Sequence, residues 1–101
     1  MYVAMNRFRV APGREGDFER TWRERESYLD EVPGFLGFRL LRGASSEEET
    51  VFISLSEWQS EAAFRAWTKS DAFVKAHRGA RTPEGTLLGH PQFEGYGVVE
   101  L

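Results

Sequence analysis

Along residues 2–10 (YVAMNRFRV) the side chains alternate. Tyr2, Ala4, Asn6, Phe8 and Val10 fall on one side of an extended backbone; Val3, Met5, Arg7 and Arg9 fall on the other. This pattern predicts a strand. Ala11-Pro12-Gly13 ends it and opens a helix, in which Phe18, Trp22, Arg25 and Leu29 recur at helical spacing with charges between them. Pro33-Gly34 stops that segment. Residues 35–42 read as a second strand, the polar and acidic run 44–49 as a turn, and residues 50–58 as a third strand rich in β-branched and aromatic side chains. The second and third strands are close enough in sequence to form a hairpin. Ser60 is placed to cap a helix, with Glu61 in its first turn and Ala63, Phe64 and Trp67 as its apolar stripe. Ser70-Asp71 offers a second cap, and Phe73, Val74 and His77 share one inward face of the helix that follows. The run 79–91, rich in Gly and Pro, reads as a loop, and residues 93–101 as a last strand.

The order β-α-β-β-α-β predicts one α+β domain over residues 1–101, ferredoxin-like, with an antiparallel sheet carrying helices on one face. The third strand is apolar on both sides, with Val51, Ile53 and Leu55 on one and Phe52 and Trp58 on the other. An uncovered apolar sheet face, here expected to include Phe52 and Trp58, is a liability on a monomer. A homodimer that pairs two sheets into a barrel would bury it.

Three Trp, three Tyr and eight Phe are many for 101 residues, and point to a pocket for a flat ligand or to an interface as well as a core. A net charge of −3 argues against non-specific nucleic-acid binding. With no cysteine there is no disulfide, thiolate nucleophile or Cys-ligated metal. The opening MYVAMNRFRV lacks an apolar core of signal-peptide length, and no run is long enough to span a bilayer, so a cytoplasmic protein without a membrane segment is expected.

Candidate chemistry concentrates in three residues. Asn6 is the strongly polar side chain on an otherwise apolar strand face. It either bonds a neighbouring backbone group or aims a donor into a pocket. His77 is expected to point inward beside Phe73 and Val74, either as a satisfied core residue or as a ligand. No second His, Glu or Asp stands at zinc-like spacing, whereas one axial His suffices for haem. Trp67 precedes His77 by ten residues, a spacing that diverges on one helix but can converge across a break at Ser70-Asp71. Its alternative is a plain core role between helix and sheet. His90 reads as a solvent-exposed loop residue, Ser45–Glu49 as a solvated turn, and Gly95 and Gly97 as a bulge or a close approach. Arg78 and Arg81 flank His77 and are candidates to meet ligand carboxylates.

The segments APGREGDFERTW, VPGFLGFRLLRG and FISLSEWQSEAAFRAWTKSDAFVKAH, with MNR in the first strand, resemble the antibiotic-biosynthesis-monooxygenase superfamily over nearly the whole chain. The MNR strand resembles the IsdG type of haem-degrading monooxygenase. That resemblance implies His77 as proximal ligand to haem iron and Asn6 as hydrogen-bond partner of the distal iron ligand. It also implies Trp67 pressing on the porphyrin to ruffle it. Phe73 and Arg78 are expected to contact the haem from their places beside His77; the loop 79–91 has its own sequence, so the resemblance carries over no propionate contacts. Haem would be substrate and cofactor together, consumed with dioxygen and electrons from an external donor such as a reductase, to an open-chain tetrapyrrole and iron. Two rivals keep the fold. One is a cofactor-independent monooxygenase oxidising polycyclic aromatic phenols to quinones; the other is a non-enzymatic haem-binding protein.

Overall fold

The computed structural model of the protein describes residues 1–25, 28–79 and 82–101, with positions 78 and 79 described by backbone only. In chain order the elements are β1 (Tyr2–Val10), α1 (Glu15–Glu24), a 3₁₀ turn (Leu29–Glu31), β2 (Phe35–Ser45), β3 (Thr50–Trp58), α2 (Glu61–Thr68), α3 (Asp71–Gly79) and β4 (Gln92–Gly97). The sheet order is β2-β3-β1-β4 with every pairing antiparallel, the ferredoxin-like α+β arrangement.

Four boundaries differ from the sequence reading. The first helix ends at Glu24, because Arg25 is extended (φ −76, ψ 130) and Tyr28 is left-handed (φ 57), so Leu29 packs from a separate 3₁₀ turn. β2 runs on to Ser45, carried by cross-strand pairing to Thr50 past a bulge, and the turn shrinks to 46–49, closed by Ser46 N–H to Glu49 C=O at 2.8 Å. β4 starts at Gln92 and stops at Gly97, where β1 runs out of partners at Tyr2. As the sequence suggests, the second helical region is two helices, each with a serine N-cap: Ser60 Oγ accepts from Ala63 N–H at 3.1 Å and Ser70 Oγ from Phe73 N–H at 3.2 Å.

Strand parity sends Tyr2, Ala4, Phe8 and Val10 of β1 and Phe52 and Trp58 of β3 to the helix-covered face, where all six are buried. This corrects the expected placing of Phe52 and Trp58 on the bare face. The register pairs Val3, Met5 and Arg7 with Glu57, Leu55 and Ile53, so the uncovered side carries Val3, Met5, Val51, Ile53 and Leu55, with Leu41 of β2 beside Ile53.

Beneath the helices the core is split. One cluster joins Tyr2, Ala4, Leu29, Trp58 and Phe64; the other joins Phe8, Val10, Phe18 and Phe52. Each is an aromatic nest, with Phe18 and Phe52 rings 4.9 Å apart in one and Trp58 and Phe64 rings 5.7 Å apart in the other. Between them the central strands present Asn6 paired with Ser54 and Ala4 paired with Ser56, side chains too small to fill the gap.

Gly34 locks the junction of β2 with α2. Its φ of +83 suits glycine, an added Cβ would lie 2.5 Å from Ala63 Cβ, and its carbonyl accepts from Gln59 N–H at 2.8 Å. Gly34→Ala should therefore destabilise the fold by about 2 kcal/mol or more, from the left-handed backbone plus overpacking. A urea-denaturation midpoint equal to that of the wild type would contradict this account.

Candidate functional site

The gap between the two cores is a cavity of about 410 Å³, within the range of about 300–1,000 Å³ typical of ligand pockets. Its floor is Ala4, Asn6, Phe8, Ser54 and Ser56 from β1 and β3. Trp22, Arg25 and Leu29 wall one side, and Phe64, Trp67, Ala76 and His77 the other. Phe38 of β2 and Thr82, Leu87 and Pro91 of the last loop complete it. The walls are mainly apolar and aromatic.

Polar groups facing this space lack protein partners. Among the described residues no hydrogen bond reaches the Asn6 carboxamide or the Ser54 hydroxyl, so the bond to neighbouring backbone that one reading of Asn6 required is not made. Ser56 differs: its hydroxyl donates to Ala4 C=O at 3.4 Å and accepts from Trp58 Nε1–H at 2.9 Å, which ties it to the core. Trp67 Nε1 is buried and unpartnered, as is Arg25 Nε. Unsatisfied buried donors cost about 1–3 kcal/mol each, and such groups cluster where a ligand completes them.

The break at Ser70 brings Trp67 and His77 to one cavity. Ser70 Oγ donates to Trp67 C=O at 2.6 Å while capping α3, so one side chain joins the end of α2 to the start of α3. The indole is braced from behind by Trp58 at 5.2 Å and by Phe73 edge-on at 4.8 Å, and the His77 ring stands 6.2 Å from it.

The expected inward face of α3 needs correction. Val74 is 47 % exposed, and the contact it was expected to make is taken by Ala76, at 2 %. His77 follows Ala76 at the edge of the buried stripe, so its ring is solvent-open on the cavity rim rather than enclosed. It is nonetheless oriented. Nδ1 lies 2.8 Å from Phe73 C=O, which can only accept, so Nδ1 carries a proton and, in the neutral ring, Nε2 keeps the lone pair. Phe73 does not wall the cavity; it stacks on His77 at 3.9 Å and holds it from behind. The Arg78 side chain and Arg81 lie outside the described residues, and His90 is exposed away from the cavity.

Arg25 is the site residue that sequence reasoning left in a helix stripe. Its guanidinium carbon lies 4.6 Å from the Trp22 ring centroid, and its Nη2 lies 3.5 Å from His77 Nε2. Burial pushes its pKa down, and among the described residues no carboxylate is within ion-pairing distance. A cation inside the apolar stripe Phe18-Trp22-Leu29 was the available signal. Among the described residues no three His, Cys, Asp or Glu side chains gather to hold a metal ion, so an iron at His77 must bring its other ligands with it.

The antiparallel sheet with a cavity under paired short helices defines a ferredoxin-like α+β domain. Residues 1–79 match the family model of antibiotic biosynthesis monooxygenases, and the chain belongs to that family. It is 35% identical over 93 residues, 91% of this chain and 86% of the relative, to a Mycobacterium tuberculosis protein named heme oxygenase (mycobilin-producing). A Listeria monocytogenes heme-degrading monooxygenase is 49% identical over 51 residues, 48% of this chain and 41% of the relative. Among solved structures, the M. tuberculosis heme-degrader MhuD with two hemes bound in its active site superposes with a TM-score of 0.77 at 30% identity, covering 99% of this chain and 97% of that one. A MhuD variant with two manganese protoporphyrin IX molecules per active site gives 0.78 at 28% identity, covering 99% and 96%.

Ser70→Ala should cost about 1 kcal/mol through loss of the cap. It should also speed hydrogen exchange at the Phe73 amide, which loses its acceptor, while β1 and β3 amides stay protected. Unchanged Phe73 exchange would show that Ser70 does not join the two helices in solution.

Proposed function

We propose that this protein is a haem-degrading monooxygenase that binds haem in the cavity as substrate and cofactor and opens its ring with dioxygen and external electrons. The observation that carries this reading is the placing of His77, its Nδ1 held 2.8 Å from Phe73 C=O and its ring on the rim of an apolar cavity whose floor holds the unpartnered Asn6 carboxamide. The relatives named for haem degradation support it. Haem iron, when bound, supplies the redox chemistry, with electrons from an external donor such as a reductase.

The residues divide the remaining work. His77 would hold the iron through Nε2, with its Nδ1–H bond to Phe73 C=O orienting the ring and strengthening the ligand. Asn6 lies on the floor, away from the helix that carries His77, and would offer its carboxamide as a donor at the reacting face. Trp67, braced by Trp58 and Phe73, would press on a planar ring seated against it. Apolar walls from Phe8, Trp22, Phe38 and Phe64 exclude water from the macrocycle. The products are an open-chain tetrapyrrole and iron. Among the described residues no helix is long and apolar enough to cross a membrane. We place the reaction in the cytoplasm, where a reductase can reach it.

We infer also that the working unit is a homodimer. Helices leave one sheet face uncovered, and its centre, Met5, Leu41, Ile53 and Leu55, is apolar. Around it stand Arg7, Arg39, Glu57 and Glu94, charges of both signs on adjacent strands, as a self-complementary two-fold contact needs. Sedimentation at micromolar concentration should give a dimer and Ile53→Lys a monomer; a monomeric wild type contradicts the inference.

Haemin should bind at one per chain with the Soret band of a His-ligated iron, and His77→Ala should lose that band while keeping its far-UV circular dichroism. An unchanged spectrum in His77→Ala would move the ligand elsewhere. With reductant, air and catalase, the band should bleach. Haem that stays intact would favour the binding-protein reading; no band at all, with turnover of an anthrone, would favour the cofactor-independent one.

Asn6→Ala should still bind haemin but degrade it about 10²–10³-fold more slowly, the usual worth of one preorganised donor. Trp67→Ala should lose about 3–5 kcal/mol of stability and also slow turnover, compared on folded, haem-loaded protein. Wild-type rates in both variants would remove Asn6 and Trp67 from the chemistry.

A further inference from the structure

We propose that Arg25 caps His77 Nε2 in the ligand-free pocket, so that the atom needed to hold an iron becomes available only when the guanidinium withdraws. The proposal rests on the haem reading for its purpose, and on geometry alone for the cap. His77 Nδ1 is committed as donor to Phe73 C=O at 2.8 Å. The ring therefore has one lone pair, on Nε2, and Arg25 Nη2 lies 3.5 Å from it. Guanidinium has donors and no acceptor, so the contact has one polarity: Arg25 donates. An iron and an N–H cannot share that lone pair.

Arg25 is placed for withdrawal. It is the first residue beyond α1, extended at φ −76 and ψ 130, and its backbone N–H makes only a long 3.4 Å bond to Trp22 C=O. Its guanidinium lies over the Trp22 ring, a face along which it can slide while the stem stays covered. Its Nε is buried without a partner, so the capped state leaves one donor unsatisfied and is not the best arrangement available to this side chain. The cap thus keeps a solvent-open imidazole from binding stray metal ions or water-borne electrophiles, and yields to a ligand that fills the cavity.

The test has a ligand-free arm. Acylation of the imidazoles by diethyl pyrocarbonate, mapped by peptide mass spectrometry, should be about tenfold faster at His77 in Arg25→Met than in the wild type, the factor one hydrogen bond from a charged donor corresponds to. His90, exposed and not among the cavity-lining residues, is the internal control and should not change. Arg25→Lys, which keeps a cation and a covered stem but loses the fork, should change in the same direction and serves if the Met variant does not fold. Equal His77 rates in wild type and variants overturn the cap.

The second arm is rapid mixing with haemin and with its dimethyl ester, followed at the Soret band. A cap predicts faster His77 ligation in Arg25→Met with both probes. Slower or weaker binding of haemin alone, with the ester unaffected, would make Arg25 a carboxylate receptor instead and overturn the proposal. The haem reading fails separately, if His77→Ala binds haemin as the wild type does; the acylation result still stands or falls without it.

Discussion

Two aromatic nests cannot meet across the middle of this sheet, and everything about the site follows from the strip that keeps them apart. The inward row of β3 reads Phe52, Ser54, Ser56, Trp58, and that of β1 reads Ala4, Asn6, Phe8. Large side chains at the row ends pack under α1 and α2; small or polar ones at the centre leave a void of about 410 Å³. Close packing at the ends makes the void stable, because neither cluster can slide inward without losing its ring contacts. The buried donors on the walls of the void, Trp67 Nε1 and Arg25 Nε, are unpartnered within the protein, and their cost is the thermodynamic reason to expect a ligand there.

The strands and caps were legible because local rules decide them. Alternation in residues 2–10 and 50–58 returned β1 and β3 at their observed ends, and Ser60 and Ser70 cap as their positions suggested. What escaped depends on non-local facts. The helical spacing Phe18-Trp22-Arg25-Leu29 continues smoothly through residue 25, and no Gly or Pro marks the end, yet the backbone turns there. Which apolar face of β3 meets the helices cannot be read from that strand alone. Its register with β1 decides it and sends Phe52 and Trp58 to the core. The alternation of β3 itself carried one overlooked message: two serines between two aromatics on the inward row mark a cavity floor.

His77 was expected to be enclosed and stands on the rim. An enclosed imidazole would need a core partner at each ring nitrogen and would be closed to a large flat ligand. A rim imidazole can be oriented from one side and approached from the other. The chain achieves this by placing the ring one residue past the buried Ala76, so that the Phe73 carbonyl, one helical turn back, orients it without burying it.

The same placement makes the Ser70 junction consequential. On a continuous helix, ten residues would separate the Trp67 and His77 directions by a large angle. The two-helix arrangement instead sets the rings 6.2 Å apart with Phe73 behind both. One residue thereby supports two functions: its ring braces the indole that limits the cavity, and its carbonyl orients the imidazole that borders it. A disturbance at Phe73 must couple the position of Trp67 to that of His77, whereas one at Asn6, on a separate strand and without a protein partner, need not. The site is therefore built from a coupled helical wall and an independent floor. Changes within the wall should not combine additively.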